Sequence, residues 1–511
     1  MTGPDDNRPG DTDPPNTVRK GLTGRSLNSL LWLFAGGGME AILKIVVLLI
    51  LARLLLPEEF GIVSAALTIV ALAETLGRVG VAPSIIQVKE LTRDHVATGF
   101  VTTVATGALM AGIVYLLAGP IAALYQIPEV EPLIEAFSVL FIIKGLGLVS
   151  EAMLQRNMRF RELAVIRLLS YFLGYGTVAV TMALLGYGVW ALIVAQIAQA
   201  TLQTVIYLIF ARRGLAVGFN WPVFVTMLQF GLGITLSRVG NYLSQNADYF
   251  IVGRFLGPEA LGYYSRAYLL LKQASHLVGD AGDQVLFPTL ASIQDDKKRL
   301  ERALNLALSL TAMTQIPVTA LLVVAAPEII LTLMGPQWDQ AVLPFQILIS
   351  VMFFRTGYRF VNSILRAAGR VYIAALWQWG YAAMVIAGAW VGQAFDLWGV
   401  ATGVSGAVVF CHLSGLMLVK RFVGVGSGKS LARLVAYTLF AGLIAAAFIG
   451  LKMGLVALGL ASGWILLLMV VVFVAVYGVL FTVMPTLFGE EGEVLKDQTL
   501  KAVRRRLGKK K

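Results

Sequence analysis

The chain carries one cysteine, Cys411, and three histidines in 511 residues. A lone cysteine closes no intrachain disulfide, and without a His/Cys cluster no metal site is recognisable, so redox and metal chemistry are set aside. Charge is equally scarce. Only 14% of the residues are charged, against about 25% in an average soluble protein, while 58% are hydrophobic and the mean hydropathy is +0.78. That balance excludes disordered, collagenous and disulfide-scaffold chains and leaves a polytopic membrane protein. Acidic residues are the scarcer sign, 29 against 41 Lys+Arg, and the net +12 admits a nucleic acid, a membrane surface or an anionic substrate as partner.

A spanning helix needs roughly 20 mostly apolar residues. Hydropathy places fourteen, near 27–52, 61–86, 96–118, 133–153, 163–184, 188–210, 223–253, 261–290, 303–325, 342–364, 371–391, 399–419, 432–450 and 458–484. The seventh and eighth are the most polar. Short cytoplasmic loops collect Lys and Arg, and with a cytosolic N-terminus the inside segments hold 29 cations while the outside loops hold only Arg53, Arg254 and Lys452. Both termini are therefore expected inside. The first 25 residues, polar with four prolines, read as a disordered tail and not a secretory signal. The closing KAVRRRLGKKK suits the anionic inner leaflet and calls for no nucleic acid. No outside loop has room for a folded catalytic domain, so no enzyme is expected and the activity belongs to the bilayer.

The chain repeats itself. Arg53-Leu-Leu-Leu-Pro57-Glu58-Glu-Phe-Gly61 matches Arg254-Phe-Leu-Gly-Pro258-Glu259-Ala-Leu-Gly262 at an offset of 201, and Gly188-Val189 matches Gly399-Val400 at 211, as does Arg159 with Arg370. An even number of helices separates the copies, so both halves point the same way about an axis along the membrane normal. The expected fold is an all-α polytopic membrane protein with about fourteen transmembrane helices: two pseudo-symmetric six-helix lobes plus two C-terminal helices. The units are a tail at 1–25, an N-lobe at 26–213, a C-lobe at 214–421, the extra pair at 422–485 and a basic tail at 486–511.

Nine cations fall inside predicted helices: Lys44, Arg78, Lys144, Arg167, Arg238, Arg266, Lys272, Arg355 and Arg359. Seven acids join them: Glu40, Glu74, Glu135, Glu151, Asp248, Asp280 and Asp283. Facing lipid, each would cost at least about 2.5 kcal/mol, so they face protein or a wet cavity. Arg238, Asn241, Gln245 and Asp248 follow helical steps on one face, and the offset of 201 matches Glu40 with Asn241 and Lys44 with Gln245. Arg355, Arg359, Asn362 and Arg366 form another stripe, with Lys144 equivalent to Arg355. Lys272, His276, Asp280 and Asp283 share a face of the eighth helix. The pattern predicts a hydrophilic cavity between the lobes whose substrate-facing candidates are Lys44, Arg78, Lys144, Arg238, Asn241, Gln245, Arg266, Lys272, Arg355 and Arg359. Glu40–Lys44 and Glu74–Arg78 have the i,i+4 spacing of internal ion pairs. Arg355 and Arg359 have no acid close by in their helix, which points to an anionic ligand. Gly424-Val-Gly426-Ser-Gly428-Lys429-Ser430 lacks the leading glycine of a phosphate-binding loop and does not predict ATP binding.

With its 53–61 motif, Gln155-Arg-Asn-Met-Arg-Phe-Arg161, Gly186-Tyr-Gly-Val-Trp190, Ile251-Val-Gly-Arg-Phe-Leu-Gly-Pro-Glu-Ala-Leu-Gly-Tyr-Tyr-Ser265 and Gly335-Pro-Gln-Trp338, the chain resembles the polysaccharide-transporter branch of the MOP superfamily, the Wzx-type flippases. The resemblance implies a flippase of the bacterial inner membrane that moves an undecaprenyl-diphosphate-linked repeat unit by alternating access, for exopolysaccharide, O-antigen or capsule synthesis, with polymerase and export machinery as partners. Another superfamily transporter (a lipid II flippase or a multidrug antiporter) and a membrane polymerase or ligase stay open as alternatives. No cofactor is expected beyond a coupling ion, H⁺ or Na⁺, with Glu40, Glu74, Asp248, His276, Asp280 and Asp283 as coupling candidates.

Overall fold

The computed structural model describes residues 37–77, 80–211, 215–293, 296–426 and 428–483; within them the side chains of 230, 232–234, 236–237, 276–292, 371, 429–433 and 480–483 are outside the description. Every regular element among these residues is helical. The N-lobe comprises α1 (37–54), α2 (Pro57–Gly77), the short α3 (Val81–Gln87), α4 (Arg93–Leu116), the short α5 (Ala118–Tyr125), α6 (Val130–Arg156), α7 (Phe160–Leu184) and α8 (Val189–Ala211). The C-lobe comprises α9 (Trp221–Phe255), α10 (Gly257–Ser292), α11 (Lys297–Val324), the short α12 (Ala326–Leu333), α13 (Val342–Ser350), α14 (Met352–Ala367), α15 (Val371–Gly392) and α16 (Asp396–Val423); α17 (Gly428–Ala457) and α18 (Ser462–Val483) follow.

Nine helical stretches among the described residues are long and apolar enough to cross a membrane, and the bent pair Pro336–Ser350 and Met352–Ala367 makes ten. One of the nine, Tyr372–Val423, holds two helices folded back on each other, with Gly388 against Gly403 and Gly392 against Gly399. The polar helices α9 and α10 and the first helix complete an arrangement consistent with fourteen spans. Side chains such as Leu116, Leu443 and Met453 stand outward and exposed, as a lipid-facing surface requires.

Three expected spans are irregular. The second is interrupted at Gly80, whose left-handed backbone (φ 71°) lies outside helical geometry at the N-terminal boundary of α3. The fifth contains a π-helical segment, Ser170–Thr177. The tenth bends by 43° where Val351 leaves helical geometry.

The lobes cross where the repeated motif predicts equivalent turns. Pro57 starts α2, Glu59 accepts a hydrogen bond from the Leu56 N–H at 2.7 Å, and both first-turn acids complement the helix dipole. A Cβ on Gly61 would lie 1.7 Å from the Pro258 carbonyl oxygen, and one on Gly262 would lie 1.9 Å from that of Pro57. Only glycine lets α2 and α10 approach so closely, and the contact is reciprocal. One turn further on, Ser64 donates to Ser265 at 3.1 Å, a bond between residues 201 apart. Trp338, fully buried, donates to the Ala52 carbonyl at 2.8 Å and packs edge-on against Phe60, while Gln337 donates to the same carbonyl at 2.9 Å. Arg53 donates to the carbonyls of Thr332 and Leu333 at the end of α12. In the opposite sense Tyr125 packs on Phe250 and Gly253. Each lobe thus inserts an aromatic ring against the first helix of the other.

At the far end of α2 a second glycine contact joins the lobes, Gly80 against Gly231 of α9. The start of α9 is held to α4 by the Asn220 side chain on Asp94 (3.0 Å) and the Asn220 N–H on Thr98 Oγ1 (2.9 Å). The last two helices stand apart from this core. They attach to α11 and α12 through an apolar seam of Leu321, Phe448, Ile465, Met469 and Phe473 and an ion pair, Lys452–Glu328, at 2.8 Å.

Candidate functional site

Between the two interlobe contacts lies a cavity of about 400 Å³, lined from α2 by Ala71, Glu74 and Thr75 and from α9 by Arg238, Asn241, Tyr242, Gln245 and Asn246. It is polar because α9 presents every third or fourth residue to it. Gln245 donates to Asn241 at 3.1 Å, and Tyr242 donates to the Thr68 carbonyl at 2.6 Å, joining the two walls. Asp248 continues this stripe in sequence but is fully buried beyond the cavity, accepting from Tyr264 Oη at 2.7 Å and from the Tyr249 N–H at 3.1 Å. Ten residues along a helix is about 15 Å, which carries Asp248 from the depth of Arg238 to the end where the lobes are in contact.

Beside the cavity stands a group of cations resting on tyrosines. Lys272 reaches Asn246 Oδ1 at 3.4 Å and lies 4.8 Å from the centre of the Tyr268 ring; Arg355 covers the same ring at 4.5 Å. Asp248 is a carboxylate within electrostatic range of both. Arg355 Nη1 is buried and has no hydrogen-bond partner among the described residues. Arg266, on the same helix as Lys272, lies over Phe60 of the N-lobe at 4.6 Å, and its Nε also lacks a partner among the described residues. A cation on an aromatic face gains roughly 0.5–2 kcal/mol from the ring.

The other expected cavity cations go elsewhere. Lys144 pairs with Glu74 at 2.7 Å, a bridge between α6 and α2. The expected Glu74–Arg78 pair cannot be placed, since Arg78 lies outside the described residues, but Glu74 is already engaged by a helix that local spacing does not reveal. Lys44 pairs with Glu40 at 2.6 Å, the i,i+4 bridge read from the sequence. Arg359 is half-buried on α14. His276, Asp280 and Asp283 belong to α10, and their side chains lie outside the description.

Three contributors were not among the cavity candidates. Arg167, expected only as an intramembrane cation, pairs with Glu151 at 2.7 Å, closing a further charged bridge inside the N-lobe. Tyr268 and Tyr264, buried on α10, organise the cations and Asp248, and the available signal was Tyr268 one helical turn before Lys272. Among the described residues no group of three or more His, Cys, Asp or Glu is arranged to hold a metal ion.

The family model described as "Polysaccharide biosynthesis protein" matches residues 50–343. The chain is 30% identical over 299 residues to the succinoglycan biosynthesis transport protein ExoT of Rhizobium meliloti (strain 1021), a match spanning 58% of this chain and 60% of that one. It is 27% identical to the lipopolysaccharide biosynthesis protein WzxC of Escherichia coli (strain K12), over 65% of this chain and 68% of the relative. In fold it is similar to the lipid II flippase MurJ in an inward closed conformation, with a TM-score of 0.72 at 15% identity covering 88% of this chain and 98% of the other. It is similar also to an inward-facing multidrug-resistance transporter of the MOP superfamily, with a TM-score of 0.60 at 13% identity over 78% and 95%. The family match covers more than half of the chain, which therefore belongs to the polysaccharide biosynthesis protein family.

Proposed function

We propose that the chain is a flippase that moves an undecaprenyl-diphosphate-linked oligosaccharide repeat unit across the bacterial inner membrane by alternating access of its lobes, with both termini cytosolic. The observation that carries this reading is the pair Lys272 and Arg355 beside the interlobe cavity, converging on one tyrosine ring, with an Arg355 nitrogen buried and unpartnered among the described residues. A diphosphate brings about two negative charges into low dielectric, where charge-assisted hydrogen bonds from guanidinium and ammonium groups are strongest. Arg238 contributes from α9 at the cavity wall and Arg359 from α14. Lys144, held by Glu74, is not part of this set. The relatives support the substrate class, since their names attach them to succinoglycan and lipopolysaccharide synthesis. Coupling to H⁺ or Na⁺ centres on Asp248, buried beside both cations.

In proteoliposomes the Arg355→Ala/Arg359→Ala protein should flip the lipid-linked substrate at least about tenfold more slowly than wild type, the loss of one charge-assisted bond or more. Undiminished transport by well-folded double variant sinks the cationic site.

A further inference from the structure

The N-lobe encloses a second cavity of about 270 Å³, which shares Glu74 with the interlobe one. Its charges balance. Glu74 faces Lys144 and Glu151 faces Arg167, each at 2.7 Å, and beside them Gln203 donates to Tyr207 Oη at 2.9 Å. Among the described lining residues, two carboxylates against two cations leave no net charge to draw a metal cation or a diphosphate. A neutral polyol suits such a lining: carboxylates accept from its hydroxyls, guanidinium and amide groups donate, and the tyrosine offers a ring face. The volume falls just under the ~300–1,000 Å³ of most small-molecule sites, enough for one sugar ring and too little for an oligosaccharide.

The C-lobe shows that this cavity is not imposed by the shared architecture. At the offset of 211, Gly147 on the cavity wall corresponds to Tyr358, and Thr204 to Gly415. Tyr358 is buried and stacked on Trp377 at 4.6 Å, and the Trp377 ring presses against Gly415 so closely that a Cβ there would lie 2.3 Å from it. Two aromatic rings fill in one lobe the space that the other keeps open and polar.

We propose that the N-lobe cavity is a subsite for a single neutral sugar ring of the transported head group, entered past Glu74. The inference rests on the flippase reading above and adds the place where the glycan, as distinct from the diphosphate, is recognised. The C-lobe supplies the test, because Gly147→Tyr/Thr204→Gly installs the counterpart of the Tyr358 ring and removes the Thr204 side chain, whose Oγ1 a Cβ at 147 would meet at 2.9 Å. Gln203→Leu is a second variant that removes hydrogen-bonding groups at nearly constant volume.

Binding would be measured in nanodiscs with bare undecaprenyl diphosphate and with undecaprenyl diphosphate carrying one glucose, galactose or N-acetylglucosamine. Wild type should prefer at least one glycosylated lipid by about tenfold, equivalent to one net hydrogen bond. Both variants should lose that preference and bind bare lipid as wild type does. Variants that keep the preference overturn the subsite and leave the cavity to water, and folded variants that lose bare-lipid binding as well overturn a role confined to the sugar. Wild type that binds none of the lipids overturns the flippase reading itself, and the subsite with it.

Discussion

Glu40 and Lys44 of the N-lobe form an ion pair at 2.6 Å; their counterparts in the C-lobe, Asn241 and Gln245, join amide to amide at 3.1 Å. The same exchange occurs deeper in the bundle. Glu151–Arg167 at 2.7 Å corresponds to Asn362–Gln378 at 3.5 Å, on the same two helices of the repeat. The third N-lobe pair, Glu74–Lys144, corresponds to Ser275 and Arg355, and there only the acid has been lost. Ser275 Oγ is buried without a hydrogen-bond partner among the described residues, and Arg355 turns to the face of Tyr268. One lobe therefore neutralises its buried charge internally. The other replaces two pairs with uncharged amides and rests Arg266, Lys272 and Arg355 on aromatic rings, with Asp248 beside the last two, where an anion arriving from the cavity can engage them.

Three perturbations break or sharpen this comparison. The largest concerns what the lobes share. Gly61→Leu and Gly262→Leu each place a side chain where the other lobe's backbone already lies, and each should cost more than about 3 kcal/mol, seen as loss of the monodisperse peak and a collapsed melting temperature. Tolerance of one but not the other would show that the crossing is not reciprocal. An intermediate effect comes from converting N-lobe chemistry to that of the C-lobe. Glu151→Asn alone strands Arg167 and should cost about 1–3 kcal/mol, moderated because the arginine is partly exposed, whereas adding Arg167→Gln should return the melting temperature to within about 1 kcal/mol of wild type. A double variant as unstable as the single one would mean the amide pair fits only its own lobe. The smallest effect is expected at the axis. Ser64→Ala and Ser265→Ala should each cost about 1 kcal/mol, and the double variant little more than either, since both remove the same hydrogen bond; full additivity in thermal melts would argue that the serines act separately.

Much of this organisation is legible in the residues. Hydropathy suffices for the apolar spans because lipid requires long apolar helices, whereas α1, α9 and α10 are not among the helices apolar enough to cross by that measure, and the Pro57 and Pro258 turns reveal the repeat because both contain a helix start with a close-packed glycine. Glu40–Lys44 is readable since its spacing is local. The pairing of Glu74 with Lys144 is not, because the partners are 70 residues apart and a nearer cation, Arg78, offers itself in sequence. The offset of 211 links Glu151 to Asn362, but the matching exchange of Arg167 for Gln378 emerges only when the two helices are seen in contact. Tyrosines on α10 look like ordinary core residues, and nothing in their spacing announces that they support Lys272 and Arg355. The interruption at Gly80 had signals of its own, Gly77, Gly80 and Pro83, which the apolar residues on either side outweigh in a hydropathy window.

The bond between Ser64 and Ser265 has a consequence for how the protein can vary. In a two-fold dimer a residue on the axis meets its own copy, and a single mutation alters both sides of the interface at once. Here the two halves of one polypeptide meet as two subunits would, yet each serine is separately encoded, so the contact can be changed on one side alone. That freedom is what lets a symmetric interface hold together two lobes whose interiors have become chemically different.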